Sequence, residues 1–233
     1  MAPFHFGTLV YNYQAVDVVG PFDLCLNASK FVLQYIVNHG VEIDKKTMDN
    51  APEFVFHHIG DSSEPLKLMT GGYVINRTTS PQDCPEVIGG PIPEDFSFPE
   101  SYNDFIRKHV AAGKLVFTTC TGASALATTG ALDGKSATCN HIEFNWVKKA
   151  FPKVKWTNEK QWVVDGNIWT GSGAIAGMDM MAHWIKETYG FEYMRLAGLG
   201  LDYEPRDVDG LFTVLPKRFD ANGKQISSHA FPK

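Results

Sequence analysis

Short apolar runs alternate with amphipathic stretches along most of the chain. FHFGTLVY, residues 4–11, mixes large apolar side chains with polar or small ones and predicts a first strand. A helix is expected from Asp17, in Asp17-Val-Val-Gly-Pro-Phe-Asp-Leu-Cys-Leu, with Pro21 near its first turn, where a missing N–H matters little. FVLQYIV (31–37) fits helix or strand equally, because a short apolar run has no diagnostic period. FVFHHI (54–59) reads as a strand, and KLMTGGYVINRT (67–78) as a hairpin about Gly71-Gly72. Residues 86–91, EVIGGP, form a short buried strand running into a turn. Helical spacing covers 100–112 and stops at Gly113. KLVFTT (114–119) is the next strand, followed by an apolar helix from about Thr121 to Thr129, closed by Gly130. Beyond it come a turn and short strand (132–138), an amphipathic helix (141–151) ended by Pro152, a hairpin about Asp165-Gly166-Asn167 (161–171) and a long helix (173–190).

Strands alternating with helices, with no repeat and no linker, predict an α/β fold: a three-layer sandwich with a mostly parallel central sheet. One domain is expected over 1–215, with a polar tail over 216–233. The 233 residues are 44% hydrophobic, which suits a globular core, and carry a formal charge of −5. No dense Lys/Arg block is present, so nucleic acid is not expected as a partner. No apolar stretch reaches spanning length, and the first residues lack a basic region leading into an apolar run, so the expectation is a cytoplasmic protein without membrane contact. Neither Gly71-Gly72 nor Gly89-Gly90 has the spacing of a phosphate loop, and no His/Cys spacing resembles a zinc site, so neither cofactor nor metal is expected.

The chain has four cysteines: Cys25, Cys84, Cys120 and Cys139. Cys25 lies inside an apolar helical pattern and reads as a small buried hydrophobe. Cys84, beside Pro85, says little. Cys120 ends a strand and precedes a run of small residues, Gly122-Ala-Ser-Ala. In a parallel sheet such strand ends are where sites form. A sharp strand-to-helix turn there would aim a helix N-terminus at the sulfur and lower its pKa below the free value of about 8.5. On this context alone a nucleophile and a buried core cysteine are both open readings. Asp17 is likewise either a helix cap or, if the two strand ends are neighbours, an acid/base partner kept protonated beside a thiolate.

Four ordered stretches then resemble the DJ-1/PfpI superfamily, within the class I glutamine amidotransferase-like, flavodoxin-like fold, and most of all its isonitrile hydratase branch. They are Val16-Asp17-Val18-Val19-Gly20-Pro21, Thr119-Cys120-Thr121-Gly122-Ala123, Gly130 to Thr138, and Asp165 to Gly173 followed by Ala176-Gly177-Met178-Asp179. The resemblance implies a nucleophile elbow at Cys120, with Asp17 as its acidic partner and Thr121 orienting water or the thiol. It also implies Gly20 and Gly122 as backbone positions of the binding site, a small-molecule substrate and a homodimer. Where protease-like and DJ-1-like members carry histidine after the cysteine, Thr121 stands here, which suits water addition, a reaction without an amine leaving group. Two stretches depart from the branch. Asn140 takes a histidine's place, with His141 behind it, and Gly89-Gly90-Pro91-Ile92-Pro93 replaces a Pro-Gly-Gly, which leaves the amide of Ile92 or Thr121 as the oxyanion donor. The implied reaction is hydration of an isonitrile to an N-substituted formamide through a Cys120 thioimidate. The alternatives are a glyoxalase acting on α-oxoaldehydes, with His57, His58 or His141 reaching the pocket, and a non-catalytic redox sensor or binding protein.

Overall fold

The computed structural model describes residues 2–83, 87–89, 98–208, 210–211 and 219–226, with 87–89 and 211 as backbone. The first half of the chain runs β1 (Phe4–Leu9), α1 (Val16–Ala28), α2 (Lys30–Asn38), α3 (Lys45–Asp49), β2 (Phe54–Ile59), β3 (Leu66–Lys67), β4 (Val74–Ile75), β5 (Val87–Gly89) and α4 (Glu100–Ala111). The second runs β6 (Val116–Thr119), α5 (Gly122–Thr128), β7 (Ser136–Ala137), α6 (Phe144–Ala150), β8 (Lys155–Trp156), β9 (Trp162–Asp165), β10 (Ile168–Gly171), α7 (Ala174–Tyr189), α8 (Phe191–Gly200), β11 (Arg206–Asp207) and β12 (Gly210–Leu211). Six strands form the central sheet in the order β2-β1-β5-β6-β10-β9. All neighbours are parallel except the β9–β10 hairpin.

Strand alternation builds the core. In FHF and FVF the phenylalanines fall on one face, and the register pairs Phe4 with Phe54 and Phe6 with Phe56. Phe6 sits at the centre, with ring centroids 6.0 Å from Phe56, 5.9 Å from Phe22 of α1, 6.3 Å from Phe117 of β6 and 5.4 Å from Trp184 of α7. This aromatic layer joins the sheet to α1, α7 and α8, which pack on one another. The opposite parity of the strands, Leu9, Val116 and Thr118, meets Ile106 of α4 and Leu126 of α5 around a small apolar cavity, so helices cover both faces.

Several expectations shift. FVLQYIV is helix α2, with Leu33 as its buried position and Phe31 and Tyr35 exposed. The amphipathic helix after Asn140 is shorter than 141–151, because 141–143 form a turn before Phe144. Pro21 is in the body of α1, past its first turn, and Asp17 is not the N-cap, which is Ala15. α8 was not foreseen, because Gly190 separates it from α7 without any intervening polar stretch. The hairpin about Gly166 is as expected: Gly166 takes φ +65°, the positive angle at the first of two turn residues. Cys84, Ile92 and Pro93 lie outside the described residues. No described helix is long and apolar enough to cross a membrane.

Phe6→Ala should lower the unfolding free energy by about 3–5 kcal/mol, the usual cost of deleting a buried aromatic ring. Urea unfolding measures it, and a cost below about 1 kcal/mol would contradict the central place given to this ring.

Candidate active site

Cys120 lies between the last residue of β6 and the start of α5, with φ at +56°, a left-handed conformation that is rare for a residue with a side chain. Its N–H continues the sheet by donating to Gly171 O at 2.9 Å, one residue past the Thr119–Gly171 register pair. The left-handed turn then breaks the strand. Such strain persists only where the surroundings fix it.

The fixing contacts come from Thr119, which points to the opposite face from Thr118. Pro21 has no N–H to give Asp17 O, its i−4 partner in α1. The Thr119 hydroxyl takes over and donates to that carbonyl at 3.0 Å. Gly177 of α7 closes the same corner, because a Cβ there would run into Thr119 Cγ2. Three elements far apart in sequence are thereby clamped at one point, and Asp17 is delivered to the end of β6.

The Asp17 carboxyl is 1% exposed, and neither oxygen has a hydrogen-bond partner among the described residues. Burial pushes its pKa up to about 6. The Thr119 hydroxyl pulls the other way only weakly, since its hydrogen goes to the main-chain carbonyl. The Cys120 thiol is also raised, first by burial and then by the Asp17 charge. The Thr121 amide, the Asn140 side chain and the Thr121 hydroxyl oppose this without reversing it. The expected lowering of the thiol is therefore corrected: one short helix end does not outweigh burial beside a carboxylate. Burial raises both groups, and the Asp17 charge raises the thiol further, so the pair resists losing both of its protons.

The structure thus gathers Cys120, Asp17 and Thr121, the last 5% exposed at the N-cap of α5. Gly122 opens α5 and lines the apolar cavity on the far side of the turn. Gly20 is placed elsewhere, on the α1–α7 contact, where a Cβ would lie 3.0 Å from Met178 Sδ; its role there is close packing. Asn140 enters the site, with Nδ2 donating to Cys120 Sγ at 3.2 Å. The departure from the family pattern at 140 was the available signal for it. His141 is exposed. His57 is paired with His5 at 2.9 Å on strands β1 and β2, three places from β6 for the latter, and His58 shares strand β2. Cys25 is an inert core thiol at 0% exposure. Among the described residues no group of three or more His, Cys, Asp or Glu is placed to hold a metal ion.

Residues 31–187, well over half of the chain, match the DJ-1/PfpI family. The chain belongs to the DJ-1/PfpI family. Cys120, Thr121 and Asn140 fall inside the matched segment and Asp17 ahead of it. The isonitrile hydratase of Pseudomonas putida is 29% identical over 202 residues, covering 82% of this chain and 75% of that protein. The HTH-type transcriptional regulator GbdR of Pseudomonas aeruginosa is 33% identical over 110 residues, 47% of this chain but 29% of the regulator. Among solved structures, a ThiJ/PfpI family protein from Pseudomonas syringae superposes with a TM-score of 0.68 at 21% identity, covering 89% of this chain and 78% of that one. Drosophila melanogaster DJ-1beta gives 0.65 at 18%, covering 86% and 98%. At these identities what the solved structures share with this DJ-1/PfpI protein is the fold.

Thr119→Val strands the buried Asp17 carbonyl and should cost about 1–3 kcal/mol. In a Pro21→Ala background, where a helical N–H can serve that carbonyl, the cost should shrink. Equal costs in both backgrounds, by a double-mutant unfolding cycle, would contradict the clamp. Asp17→Asn removes a charge from beside the thiol, so iodoacetamide alkylation of Cys120 should titrate at lower pH than in wild type. The same change bears on stability. A carboxyl raised from 3.8 to about 6 binds protons more readily folded than unfolded, so its ionisation opposes folding as pH rises through 6. Two units correspond to about 3 kcal/mol. The stability of Asp17→Asn relative to wild type should therefore grow between pH 4 and pH 7, and a flat difference would count against a raised Asp17.

Proposed function

We propose that the protein is a cysteine-dependent hydratase that adds water to a small electrophilic carbon, an isonitrile above all, giving an N-substituted formamide. The observation that carries this reading is the buried Asp17 carboxyl, with neither oxygen partnered among the described residues, beside the Cys120 thiol at a left-handed turn. The likeness to the Pseudomonas putida isonitrile hydratase supports it. In this reading the Cys120 turn is a nucleophile elbow in a class I glutamine amidotransferase-like, flavodoxin-like sandwich, and the protein works as a cytoplasmic homodimer.

Asp17 takes the thiol proton as Sγ attacks the terminal carbon of R–N≡C, then delivers it to that carbon, leaving a thioimidate, R–N=CH–S. Water adds to the same carbon, with Asp17 removing one of its protons and passing it to nitrogen. The adduct collapses: the C–S bond breaks, the hydroxyl proton moves through Asp17 to sulfur, and R–NH–CHO departs. Isonitrile plus water gives formamide, and the enzyme returns to its starting protonation. The Thr121 hydroxyl and amide, both acting on sulfur, orient the thiol and the incoming water. No step expels an amine, so the absence of histidine at 121 costs nothing here.

The test is turnover of an aryl isonitrile and, separately, of methylglyoxal by wild type and Cys120→Ala. Formamide from wild type alone is expected. For wild type kcat/KM should fall below pH 6 as Asp17 is protonated, losing about tenfold per further unit. Hydroxyacid from methylglyoxal without formamide would replace the hydratase by a glyoxalase. Undiminished turnover in Cys120→Ala would remove the nucleophile.

A further inference from the structure

Asn140 lies between β7 and α6 and reaches Cys120. Its amide is locked. The backbone N–H of Ile142 donates to Oδ1 at 2.9 Å, so the NH2 group, not the oxygen, must face the sulfur, and Nδ2 lies 3.2 Å from Sγ. The chain leading to it is held in turn by Thr138 N–H donating to Thr170 Oγ1 at 2.9 Å, on the strand next to β6. A hydrogen bond donated to sulfur has little strength for a neutral thiol and much for a thiolate.

We propose that Asn140 is a catalytic residue that binds the Cys120 sulfur as a departing thiolate, and that its amide, which cannot carry a proton, makes the site one that adds water rather than one that splits off an amine. The inference rests on the reading of Cys120 as nucleophile. Collapse of the tetrahedral adduct breaks the C–S bond and leaves the electron pair on sulfur. The Asp17 carboxylate opposes that negative charge, and buried Cys139, next in the chain to Asn140, also lies within reach of it. Asn140 and Thr121 are the groups that favour it. Proton movement is left to Asp17 alone, enough for hydration, where the same carboxyl passes the thiol proton to carbon and later a water proton to nitrogen. Amide cleavage must protonate a leaving amine far more basic than a departing thiolate, and a fixed carboxamide adds no acid for it.

Alkylation by iodoacetamide reads the thiolate without any substrate, with Cys120→Ala setting the background from the other thiols. Asn140→Leu removes the donor, and its alkylation at pH 8 should be about tenfold slower than wild type, the size of one charge-assisted hydrogen bond. With aryl isonitrile, intact-mass spectra of Asn140→Leu should show protein plus one isonitrile accumulating during turnover, because departure of sulfur is slowed, while wild type shows none. Asn140→Asp keeps the acceptor for Ile142, so it stands in if the leucine variant does not fold. It donates only while its own carboxyl is protonated, so its turnover should fall with rising pH where that of wild type rises. Alkylation of Asn140→Leu at the wild-type rate, or an Asn140→Asp pH profile parallel to wild type, would overturn the proposal. Slowed alkylation in a protein that hydrates no isonitrile would support the hold on the thiolate and overturn only the reading of the substrate.

Discussion

A single hydroxyl joins the parts on which the site depends. Thr119, the last residue of β6, donates to the carbonyl of Asp17 that Pro21 leaves without a helical partner. The loss of one backbone hydrogen bond in α1 is thereby converted into a tertiary contact between a helix and the strand that ends at Cys120. Gly177 allows α7 to press on the same corner. The left-handed Cys120 is held one residue beyond this clamp, and the Asp17 carboxyl is sealed from water on its near side. Strain and desolvation, both unfavourable for stability, are concentrated at Cys120 and Asp17.

Electrostatics follow from that placement. An unpartnered carboxyl at 1% exposure cannot ionise as readily as in water, and a thiol next to it is harder still to ionise. Burial thereby raises both groups, Asp17 to about 6, and the Asp17 charge raises the thiol further. A permanently exposed thiolate would be more reactive toward oxidants in general.

Much of this was legible in the sequence. FHFGTLVY and FVFHHI read as strands, and the order of strands and helices pointed to a parallel sheet with Cys120 at a carboxyl end; that their phenylalanines form one aromatic face emerged only from the β1–β2 register. Asp17, Cys120 and Thr121 were legible through ordered motifs. The protonation state was not, because a helix end is visible in sequence whereas the degree of burial around a sulfur is not. Pro21 was placed a turn too early, since nothing in the sequence shows that a distant threonine will serve the carbonyl it orphans. Asn140 stood out only as a departure; that its amide reaches the sulfur depends on Thr138 and Thr170 meeting across thirty-odd residues. α8 escaped because Gly190, with φ +108°, turns the chain in one residue where loops are usually longer.

The central claim is that Asp17 is a buried carboxyl with its pKa displaced to about 6. Carbon-13 NMR of protein labelled at aspartate carboxyl carbons, with Asp17→Asn to assign the resonance, reads that ionisation directly. A signal present in wild type, absent in the variant and titrating near pH 6 is the predicted result. Titration at or below pH 4, the range of an ordinary aspartate, would mean that the carboxyl is solvated and cannot serve the thiol as described.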